Sequence, residues 1–133
     1  MLITELVLTP GSNLINPANK DCPAGYHVVT PQPDELQIDI DSDETYAAYV
    51  ELLSMLQAFG REVVLITDVP SKSGLPRRHV TLRYPRNLSE LERVAMQACL
   101  GSDPKREMFG LLRIETGIEP VTAFFEKNPE QPA

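Results

Sequence analysis

Strict alternation of apolar and polar residues runs through Leu36-Gln37-Ile38-Asp39-Ile40-Asp41. A strand of this pattern turns its three aliphatics to one face and Asp39 and Asp41 to the other. The pattern returns at His79-Val80-Thr81-Leu82-Arg83-Tyr84, which predicts a second strand with Val80, Leu82 and Tyr84 facing inward. Between them, Tyr46, Tyr49, Val50, Leu53 and Leu56 recur at helical spacing after a Ser42 cap and an acidic first turn, and Gly60 ends the run. The β-branched segment 62–67 predicts a further strand. Asn87 is the expected cap of a second helix, with Glu90 three positions on and Leu91, Val94, Ala95 and Ala98 as its buried stripe. Asp103-Pro104 opens a third helix to about Ile114, and a last strand is expected over 121–125. Residues 2–8 read as a short strand, and the Pro- and Gly-rich stretch to about 34 reads as an irregular arm with a strand near 26–30.

In order, the elements over 36–126 are βαββαβ with one extra helix. This is an α+β, split-βαβ plan of ferredoxin or RRM type, with an antiparallel sheet and helices on one face. The third strand of such a sheet lies between the first two, which brings Asp39, Asp41 and His79 to one end. Alternation leaves those three, with Thr81 and Arg83, on the open face. The expected organisation is an N-terminal arm over 1–34, a core over 35–126 and a loose tail over 127–133.

A chain of 133 residues is sized for one domain. Its net charge of −7 argues against a simple nucleic-acid coat, but the charge is unevenly spread. Residues 1–71 carry 2 Lys/Arg against 11 Asp/Glu, residues 72–113 carry 9 against 4, and residues 114–133 carry 1 against 4. An acidic half that holds metals followed by a basic stretch that holds phosphates makes chemical sense of the pattern, as does ordinary solvated surface charge. No apolar run approaches the ~18 residues of a membrane span, and the N-terminal residues lack the basic start of a signal peptide, so a cytoplasmic protein is expected. No disulfide is expected between Cys22 and Cys99, and Cys22 with His27 falls short of a zinc ligand set.

The chemistry concentrates in two segments. Asp39 and Asp41, with Cα atoms roughly 7 Å apart by strand rise, are placed to converge on a hard cation or to bridge two. Downstream, Ser71-Lys72-Ser73-Gly74-Leu75-Pro76-Arg77-Arg78 is a cationic loop leading into His79. Phosphate oxygens favour cations beside Ser and Gly amides, although a solvated loop has the same composition.

An acid-hydrophobic-acid strand followed by a Ser/Lys/Gly loop ending in His on the third strand resembles the catalytic core of the archaeo-eukaryotic primase superfamily, the primase-polymerases. The resemblance spans about 34–126. It implies that Asp39 and Asp41 bind two divalent ions, Mg or Mn, and that Lys72, Ser73, Arg78 and His79 contact the phosphates of a nucleoside triphosphate. It implies a third acid, for which Asp103 is the nearest match, with Glu115 as a substitute. Lys105, Arg106 and Arg113, with Arg83 on the open face, are the residues expected to touch a single-stranded or primed DNA template. The implied activity is nucleotide addition in replication, alongside a helicase or other replication proteins. Asp103 departs from the family pattern in following Gly101-Ser102 and preceding proline, where an ordinary helix cap is the alternative reading. Two other classes stand beside this one: a non-catalytic nucleotide- or nucleic-acid-binding module, and a metal-dependent nuclease. The open face lacks the aromatic pair with which RNA-binding sheets stack bases.

Overall fold

The computed structural model describes residues 17–129 other than Asn19. The strand expected over 2–8 lies outside the described residues, as do 130–133 of the expected tail. In chain order the elements are β1 (Tyr26–Val29), β2 (Glu35–Ile40), α1 (Asp43–Ala58), β3 (Val64–Pro70), β4 (Arg78–Arg83), α2 (Glu90–Cys99), α3 (Pro104–Thr116) and β5 (Phe124–Lys127). The architecture is α+β with antiparallel sheets, consistent with a split-βαβ plan.

Side-chain caps set where the helices begin. The Ser42 hydroxyl accepts from the Thr45 amide at 3.1 Å, ahead of Asp43 and Glu44 in the first turn of α1. Ser89, not Asn87, caps α2. Its hydroxyl accepts from the Glu92 amide at 3.1 Å while the Glu92 carboxylate accepts from the Ser89 amide at 3.0 Å. That reciprocal box satisfies two helix-end donors, which explains why the helix starts two residues later than expected. Asp103 caps α3 through the Lys105 amide at 3.1 Å, with Pro104 as its first residue.

The main sheet has the order β2-β4-β3, all antiparallel, with Leu36 opposite Leu82, Ile38 opposite Val80 and Asp39 opposite His79. Leu36, Ile38, Ile40, Val80 and Leu82 are fully buried in one cluster with Tyr49 of α1 and Leu100. Tyr46, Leu53 and Leu56 are partly buried against it, while Val50, expected in the same stripe, is exposed.

The departure from the expected plan lies at the outer edge of β2, where a ferredoxin-like sheet would add its fourth strand. Here β5 pairs instead with β1 as a separate two-stranded ribbon. The β2 edge is closed by side chains. Glu35 O accepts from Arg93 Nε at 2.9 Å, and the Gln37 amide donates to Gln97 Oε1 at 2.8 Å. Gln37 O accepts from Arg106 Nη1 at 2.8 Å, the Asp39 amide donates to Ser102 Oγ at 3.0 Å, and Asp39 O accepts from the Asp103 amide at 2.8 Å. Five consecutive outward-facing backbone groups are thus satisfied without a strand.

This requirement also explains which face α2 buries. Arg93 and Gln97 are almost wholly inaccessible beside Val94, whereas Leu91, Ala95, Ala98 and Cys99 are exposed, contrary to the stripe expected from apolar spacing. Glu107 holds the assembly together, accepting from Ser102 Oγ at 2.7 Å, Gln97 Nε2 at 2.9 Å and Arg106 Nη1 at 2.7 Å. Gly110 permits the close approach of α3 to α2, since a Cβ there would lie 3.1 Å from a Val94 methyl. The final strand begins later than expected because Val121 O and Ala123 O are occupied by Arg113 and Arg106, each at 3.2 Å.

Candidate functional site

Register and the α2–α3 connection together build an acidic cluster. Gly101, at φ 95°, turns the chain out of α2 in a conformation that favours glycine. Ser102 and Asp103 then bond to the backbone of Asp39, which sets Asp103 beside it. One carboxylate oxygen from each of Asp39, Asp41 and Asp103 lies within 4.8 Å of the other two, and this trio could hold a metal ion. Three carboxylates are a hard, all-oxygen donor set. Asp103 also caps α3, so the helix-cap reading and the cluster reading apply to the same side chain.

The electrostatics of the cluster are those of charges held close and partly out of water. Burial pushes the Asp39 carboxyl up to about 6, with Asp41 and Asp103 adding repulsion while Arg106 and Arg77 partly offset it. Asp41 is raised by burial and by Asp103, against Arg77. His79 is pushed down to about 4 by burial, then by Arg106 and Lys72. Its Nε2 lies 3.9 Å from Asp39 Oδ1, a separation within ion-pair range, but the downward shift makes His79 neutral at pH 7 and the contact is not an ion pair. The His79 ring stacks on Phe124 with centroids 4.0 Å apart and planes at 1°, so the β1/β5 ribbon covers part of the face expected to be open.

A cavity of about 540 Å³ begins at Asp39, His79 and Asp103 and is bordered by the loop residues Ser71, Lys72, Ser73 and Arg77. The loop is internally bonded. Ser71 N donates to Arg77 O at 2.9 Å, Gly74 N to Ser71 O at 2.8 Å, and Ser73 N to Ser71 Oγ at 3.2 Å. The amides of Ser73 and Gly74 are therefore committed, and the loop offers the cavity mainly its side chains. Lys72 Nζ lies 5.9 and 5.8 Å from the ring centroids of Tyr26 and Phe125, placing the cation against the ribbon.

Several residues expected at this site are placed elsewhere. Arg78 turns to the helical side, where it pairs with Asp68 at 3.3 Å and lies 4.2 Å from the Tyr46 ring centroid. It shares parity with Val80 and Leu82, so the alternation itself carries that signal. Arg83 sits at the far end of β4, roughly 13 Å along the strand from His79, near Asp34. Arg106 and Arg113 border the cavity, but their guanidinium groups are engaged internally: Arg106 with Gln37 O, Glu107 and Ala123 O, and Arg113 with Pro17 O and Val121 O. Lys105 is exposed at the cavity rim. Glu115 is exposed and stands outside the acidic trio. Lys20, Phe109, Phe124 and Phe125 also line the cavity, and no motif in the sequence points to them. The ribbon pairing brings Phe124 and Phe125 there, the arm brings Lys20 and the packing of α3 brings Phe109, and none of these leaves a short-range pattern.

No family model, curated protein or solved structure matches the chain. Among the described residues, no helix is long and apolar enough to cross a membrane.

Proposed function

We propose that this protein is a metal-dependent nucleotidyltransferase of primase-polymerase type, adding nucleotides to a primer or starting one on a DNA template. The observation that carries the reading is the trio Asp39, Asp41 and Asp103, with ligand oxygens within 4.8 Å of one another, two of which, Asp39 and Asp103, line a cavity bordered by Lys72, Arg77 and Lys105. Carboxylates beside cations suit a ligand that brings both a metal and phosphates. In this reading the three aspartates hold Mg or Mn, which supplies charge neutralisation of a triphosphate and activation of the attacking hydroxyl. Lys72, Arg77 and the Ser73 hydroxyl orient the phosphates, and Lys105 faces the template backbone. His79, which lines the cavity and is held neutral at pH 7, would offer the nucleotide a hydrogen bond rather than a charge. The partners of the reading are nucleoside triphosphates, a single-stranded or primed DNA template and other replication proteins.

A non-catalytic nucleotide-binding module is the second reading. It is favoured by the internal engagement of Arg106 and Arg113, which leaves Lys105 as the most accessible of the three α3 cations expected on the template. One assay separates the two. Labelled dNTPs and NTPs are supplied with Mg or Mn on single-stranded and primed templates, to the unaltered protein and to an Asp39→Ala/Asp41→Ala variant. Product from the unaltered protein alone supports the transferase, and equal product from both overturns the site. Nucleotide binding without product selects the module.

A further inference from the structure

The acids and the cationic loop account for only one end of the cavity. Its other end is built on α3, whose cavity-facing residues run from Asp103 at the cap through Arg106 to Phe109 and Arg113. Phe109 lies six residues beyond Asp103, roughly 9 Å along the helix axis. Phe125 of β5 lines the same cavity, and its ring centroid lies 5.8 Å from Lys72 Nζ of the loop. Both phenylalanines are only half-buried. Neither has a part in holding a metal or a phosphate.

We propose that Phe109 and Phe125 receive the base of a nucleotide, so that the cavity selects nucleoside phosphates over bare polyphosphates. The inference rests on the reading of this cavity as a nucleotide site and adds to it the means of recognising the base. The lining supplies three kinds of group: carboxylates for a phosphate-bound cation, Lys72, Arg77 and Lys105 for phosphate oxygens, and aromatic surface at Phe125 and at Phe109, roughly 9 Å along α3 from Asp103. Aromatic rings attract the flat face of every base, so the contact discriminates base from no base more strongly than one base from another. Arg113, with Cζ 5.8 Å from the Phe109 centroid and its guanidinium tied to backbone carbonyls, limits movement of that ring. Lys72 is shared between the two ends. A phosphate that draws Lys72 to itself would leave the Phe125 face to the base.

The test compares calorimetric binding of ATP, UTP and inorganic tripolyphosphate in the presence of Mg. The unaltered protein is expected to bind ATP roughly 5- to 150-fold more tightly than tripolyphosphate. Phe109→Leu and Phe125→Leu should narrow that ratio while tripolyphosphate affinity stays within about twofold. The chain contains no tryptophan, so Phe109→Trp installs a single fluorescent reporter at the platform. ATP should quench its emission and tripolyphosphate should not. Equal affinity of the unaltered protein for ATP and tripolyphosphate, or ATP binding that leaves the reporter unchanged, overturns the platform while keeping the phosphate site. Binding of none of the three ligands overturns the nucleotide reading itself, and the platform with it.

Discussion

Replacing Asp39 with asparagine should make the metal-free protein more stable at neutral pH, although it removes the side chain on which the proposed chemistry depends most. The carboxyl is held at about 6 in the folded protein against an ordinary 3.8, chiefly by burial. The folded state therefore binds this proton more tightly than the unfolded state does. Stability from this group falls as pH rises from about 4 to about 6, and the full cost is present above that window. A rise from 3.8 to about 6 is equivalent to about 3 kcal/mol. The amide of asparagine keeps the shape and sheds the charge, while the backbone bonds of residue 39 to Ser102 and Asp103 are untouched by the change. The expected gain at pH 7 is about 2–3 kcal/mol, or roughly 10 °C in melting temperature. His79 acts in the opposite sense, since its value is pushed down to about 4 and its contribution is lost as pH falls from 6.5 toward 4. The comparison is therefore made as a difference between variant and unaltered protein. Urea unfolding in EDTA at pH 4, 5, 6, 7 and 8 reads it directly. The difference should be near zero at pH 4 and reach its plateau by pH 7. Saturating Mn should then favour the unaltered protein, because a ligand stabilises the form that binds it. A difference between variant and unaltered protein no larger at pH 7 than at pH 4 would refute the view that the acidic cluster is held against its own electrostatics.

Three further outcomes follow from the same geometry. Glu107→Ala removes the buried partner of Arg106 and should cost about 3–5 kcal/mol in chemical unfolding, whereas a loss below about 1 kcal/mol would mean that the edge closure of β2 is incidental. Arg77→Ala should weaken tripolyphosphate binding several-fold with little change in melting temperature, whereas Arg78→Ala should do the reverse, losing the Asp68 and Tyr46 contacts while sparing the ligand. Ser89→Ala should destabilise the protein by about 1 kcal/mol in urea unfolding, against no measurable change for Asn87→Ala.

What the sequence reveals is local. Alternation is a property of a strand by itself, so the faces of Ile38, Ile40, Val80 and Leu82, and the pairing of Asp39 with His79, follow from parity and order. Parity applied to Arg78 removes it from the proposed phosphate site as well. Apolar spacing alone misplaces the buried face of α2. That face is selected by the backbone of β2, a distant segment that requires an amide and a guanidinium where a hydrophobic stripe is expected. For the same reason no pattern in 121–127 announces that the last strand leaves the sheet, since the groups that displace it belong to Arg93, Gln97 and Arg106. In the sequence by itself Asp103 reads as a helix cap. Its place beside Asp39 depends on Ser102 and on one backbone hydrogen bond across 64 residues of chain.

Closure of β2 by side chains has a consequence for how the molecule breathes. Amides on the rim of a sheet ordinarily exchange with solvent deuterium as the strand frays. The amides of Gln37 and Asp39 end instead on a buried glutamine and a buried serine, carried by α2 and by the segment that leads into α3. Their exchange must wait for the helices to lift, so two protons on the outer strand become clocks for helix detachment. The same event separates Asp103 from Asp39, and the lifetime of the acidic trio is written into the protection of the strand beneath it.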